Sequence, residues 1–169
     1  MRPVDFIIGP ALMAHETTAA RSGLLVIGYG NTLRRDDGVG PKVADAVAAL
    51  GVPGVTSLPC ALLTPELAQP VANARVVIFV DAAVDAPREI QLRALAPAES
   101  SQLMAHAASP ATVLALARDV FGSAPEAWWL TIPVEDLTFG EEFSPLAQCG
   151  FSQAVQEVTK LAVQLRKSR

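Results

Sequence analysis

Leu24-Leu25-Val26-Ile27-Gly28 runs directly into Tyr29-Gly30-Asn31-Thr32-Leu33-Arg34-Arg35-Asp36-Asp37-Gly38. A short apolar run with no polar alternation, closed by glycine, predicts a strand covered on both faces. The glycine-punctuated loop behind it leads to Val43, Ala44, Val47, Ala48 and Leu50, which are spaced as one face of a helix, with Gly51 placed to end it. Strand, loop and helix together make the opening unit of an α/β domain.

The same grammar continues along the chain. Val55 to Leu58 is a second strand, and Thr64-Pro65-Glu66 opens a second helix through about Ala74. Val76-Val77-Ile78-Phe79-Val80, β-branched and continuous, is the clearest strand and stops at Asp81. Glu89 to Leu95 alternates polar and apolar residues, which suits an antiparallel edge strand with one wet face. A third helix begins at Ser109-Pro110 and ends at Gly122, Trp128 to Ile132 forms a further strand, and Ser144-Pro145 leads to a last helix striped by Val155, Val158, Leu161, Ala162 and Leu165. Proline also follows Gly40, and in each of these pairs it stands where a helix can start, with the preceding Ser or Thr available as a cap. The order β-α-β-α-β-β-α-β-α predicts an α/β, single-domain, three-layer sandwich: a mostly parallel sheet, one antiparallel edge strand and helices on both faces. Residues 23–169 are assigned to this domain, and residues 1–22 to an N-terminal extension expected to be disordered.

Composition narrows the function. With 169 residues, 51% of them hydrophobic, the chain can fill one ordinary core. A net charge of −4 argues against nucleic acid as a partner, since phosphate binding needs a basic surface. No apolar run reaches the ~20 residues of a membrane span. Phe6-Ile7-Ile8 is a poor secretion signal, preceded by Asp5 and broken by Gly9-Pro10, so a cytoplasmic location is expected. Cys60 and Cys149 form no CxxC and read as reduced thiols.

Few residues are left to carry chemistry. The Gly28–Leu33 loop invites comparison with a dinucleotide-binding turn, but Leu33 replaces the third glycine and Asp36-Asp37 would repel a pyrophosphate. Adjacent carboxylates do not easily face the same way, so one can bind a ligand while the other caps or braces the loop. Asp81 ends the third strand, and ligands of open parallel sheets bind outside the strands' carboxyl ends at the switch in strand order, so Asp37 and Asp81 can meet in one crevice. Taken alone, each is more often a turn residue or helix cap. His106, one of two histidines, precedes the Ser109 helix start. Two carboxylates and an imidazole with open positions can hold a divalent transition metal. His15 has no second histidine at HExxH spacing, and no GxSxG elbow is present.

Val26 to Pro41 strongly resembles the opening signature of the hydrogenase maturation proteases. Leu63-Thr64-Pro65-Glu66-Leu67-Ala68, Val77 to Ala83, and His106-Ala107-Ala108-Ser109-Pro110 running into Leu114-Ala115-Leu116-Ala117 resemble it in order, and Phe139 to Pro145 matches more loosely. The resemblance covers about residues 24–165. It implies a hydrolase of aspartyl endopeptidase type, with Asp37, Asp81 and His106 as metal-engaging and catalytic residues. The implied substrate is the precursor of a [NiFe] hydrogenase large subunit, whose C-terminal extension is removed once nickel is inserted. Nickel then enters with the substrate, and other divalent ions such as Cd²⁺ or Zn²⁺ can take its place on the isolated protein. Asp36 is one candidate for a general base. Ala61-Leu62-Leu63 stands where some relatives carry His-Gln-Leu, so the resemblance names no hydrogenase class. A monomer with no nucleic-acid or membrane partner is expected. The alternative is a non-catalytic nickel-binding chaperone or checkpoint module using the same residues.

Overall fold

Strand β1 spans Ser22–Tyr29 and is the second strand of the sheet. The structure, a computed structural model, describes residues 22–99 and 109–167. The expected extension therefore falls, but for Ser22, outside the described residues, as do His15 and His106. β1 pairs in parallel with β2 (Val55–Cys60) on one side and β3 (Ala74–Ala83) on the other. Beyond β3 lie β5 (Glu126–Pro133), parallel to it, and β4 (Gln91–Ala94), antiparallel to β5. The order is β2-β1-β3-β5-β4, so the alternating segment is indeed the antiparallel edge and the continuous apolar runs are interior.

Successive side chains of the central strands point to opposite faces, and each face has its own helices. Leu24 and Val26 of β1 and Val76, Ile78 and Val80 of β3 pack with Val39, Val43 and Val47 of helix α1 (Val39–Ala49) and with Ala154, Val158 and Ala162 of α4 (Pro145–Lys167). Leu25, Ile27, Val77 and Phe79 face Ala68 and Val71 of the short helix α2 (Ala68–Ala72) and Val113, Leu114 and Ala117 of α3 (Pro110–Phe121). Ile27, Ile78 and Phe79 are completely buried, each contributing roughly 1.5–3 kcal/mol of transfer free energy.

The helix boundaries follow the capping residues, with two differences from the expectation. Ser109 accepts the Thr112 N–H, and Gly122 closes α3 in the left-handed region at φ 70°. Thr64, however, makes no side-chain cap bond, and Pro65 opens a 3-10 turn, Pro65–Leu67, that feeds α2. Pro41 is the third residue of α1 and not its first, because a 3-10 turn at Arg35–Gly38 starts the winding early. Its missing N–H still costs nothing, since the first four amides of a helix have no partner in the helix. β3 also runs past Asp81 to Ala83, because β5 continues to pair with it through Ala83 and Pro133.

Candidate active site

β1 and β3 are neighbours, and the strand order reverses between them: the chain steps from β1 to β2 on one side and then back across β1 to β3 on the other. This is the topological switch at which open α/β sheets form a ligand crevice beyond the carboxyl ends of their strands. Asp37 stands in the 3-10 turn after β1 and Asp81 near the end of β3.

The turn after β1 is built by close packing. A Cβ on Gly28 would collide with the main-chain carbonyl of Gly40 in α1, so glycine here lets the helix lie directly against the strand. Gly30 takes φ 141°, and a Cβ there would strike the carbonyl of Asp37. These glycines fold the loop onto itself and onto α1, and neither is needed to admit a pyrophosphate. Asn31 Oδ1 accepts the Leu33 N–H at 3.0 Å, and the Asn31 N–H donates to Asp37 Oδ2 at 3.0 Å. Asp37 is half-buried, and its Oδ1 has no hydrogen-bond partner among the described residues.

Asp36 has the opposite role. It is wholly buried. Its Oδ1 accepts the Ser144 N–H at 2.7 Å, and its Oδ2 accepts the Ser144 hydroxyl at 2.7 Å and the N–H groups of Asp136 and Glu135 at 3.0 and 3.1 Å. Burial alone would raise its pKa, but the bonds from Ser144, Asp136 and Glu135 outweigh that and hold the carboxyl below the usual carboxylate range. A carboxylate so occupied cannot take a proton from water, so Asp36 is corrected from candidate general base to brace. The adjacent carboxylates therefore differ, with Asp36 turned inward as the brace and Asp37 half-buried in the turn.

The brace fastens the Asp37 turn to the loop between β5 and α4. Arg34 and Gly140 form a parallel bridge, with Arg35 N–H to the Gly140 carbonyl at 2.8 Å and Gly140 N–H to the Leu33 carbonyl at 3.0 Å. Arg34 Nε reaches the Leu137 carbonyl at 3.1 Å, and Arg35, held at φ 39°, lies 3.5 Å from the Asp136 carboxylate. A non-glycine residue in this region costs of order 1–3 kcal/mol and persists where its surroundings over-determine it.

Asp81 is half-buried, and its Oδ2 accepts the Tyr29 hydroxyl at 2.6 Å. Its pKa is raised, first by burial, against the lowering pull of the Tyr29 hydroxyl and the Ala82 N–H, with the like charge of Asp37 adding to the rise. The Tyr29 phenol is itself pushed up by burial and by the Asp81 charge. Asp37 thus follows, and Asp81 lies near the end of, neighbouring parallel strands of the sheet. Sequence reading gave Tyr29 no role, since a tyrosine at a strand end carries no signal of what its hydroxyl meets. His106, the third predicted residue, lies outside the described residues. Among the described residues no three His, Cys, Asp or Glu side chains group as a metal site.

Solved structures share this fold at TM-scores near 0.6. The chain has the fold of the hydrogenase maturation proteases. HybD from Escherichia coli superposes with a TM-score of 0.65 at 23% identity, over 86% of this chain and 93% of that one. The [NiFe] hydrogenase maturation protease HybD from Thermococcus kodakarensis gives 0.60 at 23% identity, over 82% and 98%. HycI, the maturation protease from the same organism, gives 0.66 at 19%, over 85% and 94%. No protein-family model and no curated protein matches the sequence.

Proposed function

We propose that the chain is a hydrogenase maturation endopeptidase, which removes the C-terminal extension of a [NiFe] hydrogenase large-subunit precursor after nickel insertion. The observation carrying this reading is a fold shared with hydrogenase maturating endopeptidases, with Asp37 in the turn after β1 and Asp81 near the end of the neighbouring β3. Two carboxylates that repel one another and face a crevice suit a dication, and carboxylate oxygen with imidazole is an acceptable donor set for Ni²⁺. The nickel belongs to the precursor, so it is part of the substrate.

In this reading Asp37 offers its unoccupied Oδ1 to the precursor's nickel. Tyr29 holds Asp81 by Oδ2, which fixes the orientation of that carboxylate toward the same ion. His106 supplies the third ligand. Precursor without nickel would leave the two carboxylates in repulsion with nothing between them, which makes loading a condition for docking. The working location is the cytoplasm and the working form a monomer.

Asp37→Asn, Asp81→Asn and His106→Ala are each expected to abolish appearance of the shortened large subunit while keeping the wild-type circular dichroism spectrum. Normal processing by any of the three removes that residue from the site. Binding of nickel-loaded precursor without cleavage by wild type would favour the checkpoint module.

A further inference from the structure

The rim of the sheet that carries Asp37 and Asp81 also carries unpartnered apolar side chains. Leu33 is 60% exposed, Leu62 59%, Val84 56% and Phe139 84%. Each lies in the loop that leaves the carboxyl end of a parallel strand: β1, β2, β3 and β5 respectively. The remaining large exposed apolar residues among those described, Leu50, Val120, Phe121 and Val163, belong to the last turns of α1 and α3 and to the C-terminal half of α4. Those helix ends return to the opposite rim, because each helix runs back along the strand before it. Exposed apolar side chains scattered singly need no explanation, but a rim-limited set around a candidate site marks an interaction surface.

Two of the four are brought together by the backbone. The Arg34–Gly140 bridge sets Leu33 beside Phe139, one residue earlier on each chain and on the same face. The bonds that hold this register belong to the loop pair braced by Asp36, so these two side chains are fixed on a rigid base. On the far side of the β1 turn a groove of about 410 Å³ is lined by Gly30, Asn31, Thr32, Leu33, Cys60 and Ala61 among others. Leu62 follows Ala61 directly. Leu33, part of the groove lining and Asp37 therefore share one turn, the one whose Asn31 N–H holds Asp37, and Phe139 comes beside it from the β5 loop.

We infer that Leu33 and Phe139, with the exposed Leu62 next to the groove residue Ala61, bind an apolar segment of the polypeptide substrate adjoining its metal-bearing part. The inference rests on the proposed endopeptidase reading and adds to it the determinant of substrate recognition. Leu33 and Asp37 belong to the same turn, so a chain engaged at Asp37 lies close to this patch. Charge supports the same occupant, since the carboxylates at the centre of the rim complement a partner that brings a dication. A second copy of this chain would set acidic crevice against acidic crevice.

The test is the full-length double variant Leu33→Ser/Phe139→Ser, assayed on nickel-loaded precursor over a range of concentrations. Neither side chain touches the carboxylates, so kcat stays near the wild-type value while KM rises about tenfold or more. The conservative pair Leu33→Met/Phe139→Leu restores the wild-type KM. An unchanged KM in the serine variant, with wild type active, overturns the inference and leaves the endopeptidase reading intact. So does a wild-type protein that sediments as a dimer and becomes monomeric in the variant at unaltered KM, which assigns the patch to self-association. Absence of cleavage by wild type overturns the endopeptidase reading itself, and the inference with it.

Discussion

Asp36→Ala would remove the acceptor for three main-chain N–H groups and one hydroxyl at a position with no solvent access. A hydrogen bond to a charged group contributes ~1.5–3 kcal/mol, and an orphaned buried donor costs ~1–3 kcal/mol. The four terms do not add, because the carboxylate's own desolvation works against them and the loop can relax to meet water. Loss of one partner from a buried charged cluster typically costs ~3–5 kcal/mol, and the substitution is expected to fall there. For a domain of this size that is a fall in Tm of roughly 6–20 °C. Asp36→Asn should recover part of it, since one amide oxygen can accept two of the four donors while the NH₂ group faces the others. Because the folded pKa lies below the ordinary Asp value, the carboxylate's contribution is complete above about pH 3.9 and is lost as pH falls through the lower folded value. The stability gap between wild type and Asp36→Asn should therefore close below about pH 4. Urea and thermal unfolding followed by circular dichroism read both quantities. A Tm loss under about 2 °C for Asp36→Ala would refute the brace.

Asp81→Asn relieves the repulsion from Asp37 and keeps an acceptor for Tyr29; since the folded pKa of Asp81 is raised, its ionised form is a liability at neutral pH, and differential scanning calorimetry should give a Tm equal to or above wild type. Tyr29→Phe removes the side-chain donor of Asp81, with an expected loss of about 1–2 kcal/mol in urea unfolding and slower processing. Gly28→Ala drives a methyl into the Gly40 carbonyl and must part β1 from α1, so soluble yield should collapse or stability fall by about 3 kcal/mol or more; wild-type unfolding would contradict the packing account.

Much of this architecture is local chemistry and therefore legible. Leu24 to Ile27 and Val76 to Val80 read as interior strands because every position is apolar, as a strand covered on both faces requires. Glu89 to Leu95 alternates, and its core, Gln91–Ala94, lies at the edge. The switch point follows from the order of elements, and with it the placing of Asp37 and Asp81 after and near the ends of neighbouring strands. The brace was only half legible. Two adjacent carboxylates announce that one must turn away, but Asp36's donors lie about 100 residues onward and three are main-chain amides, which any residue type supplies. Tyr29 escaped notice for a similar reason: its contact with Asp81 spans 52 positions and depends on two strands lying side by side. The apolar rim is invisible in sequence because Leu33, Leu62 and Phe139 look like ordinary core residues until the fold leaves them outside.

The most direct test of the central claim is cleavage of the precursor itself. Purified protein would be incubated with a hydrogenase large-subunit precursor from the same source, nickel-loaded or nickel-free, and intact masses recorded over time. The account predicts a shortened large subunit and a released C-terminal peptide from the loaded precursor alone. Equal cleavage of both forms would contradict the nickel gate, and no cleavage of a competent loaded precursor would contradict the endopeptidase assignment.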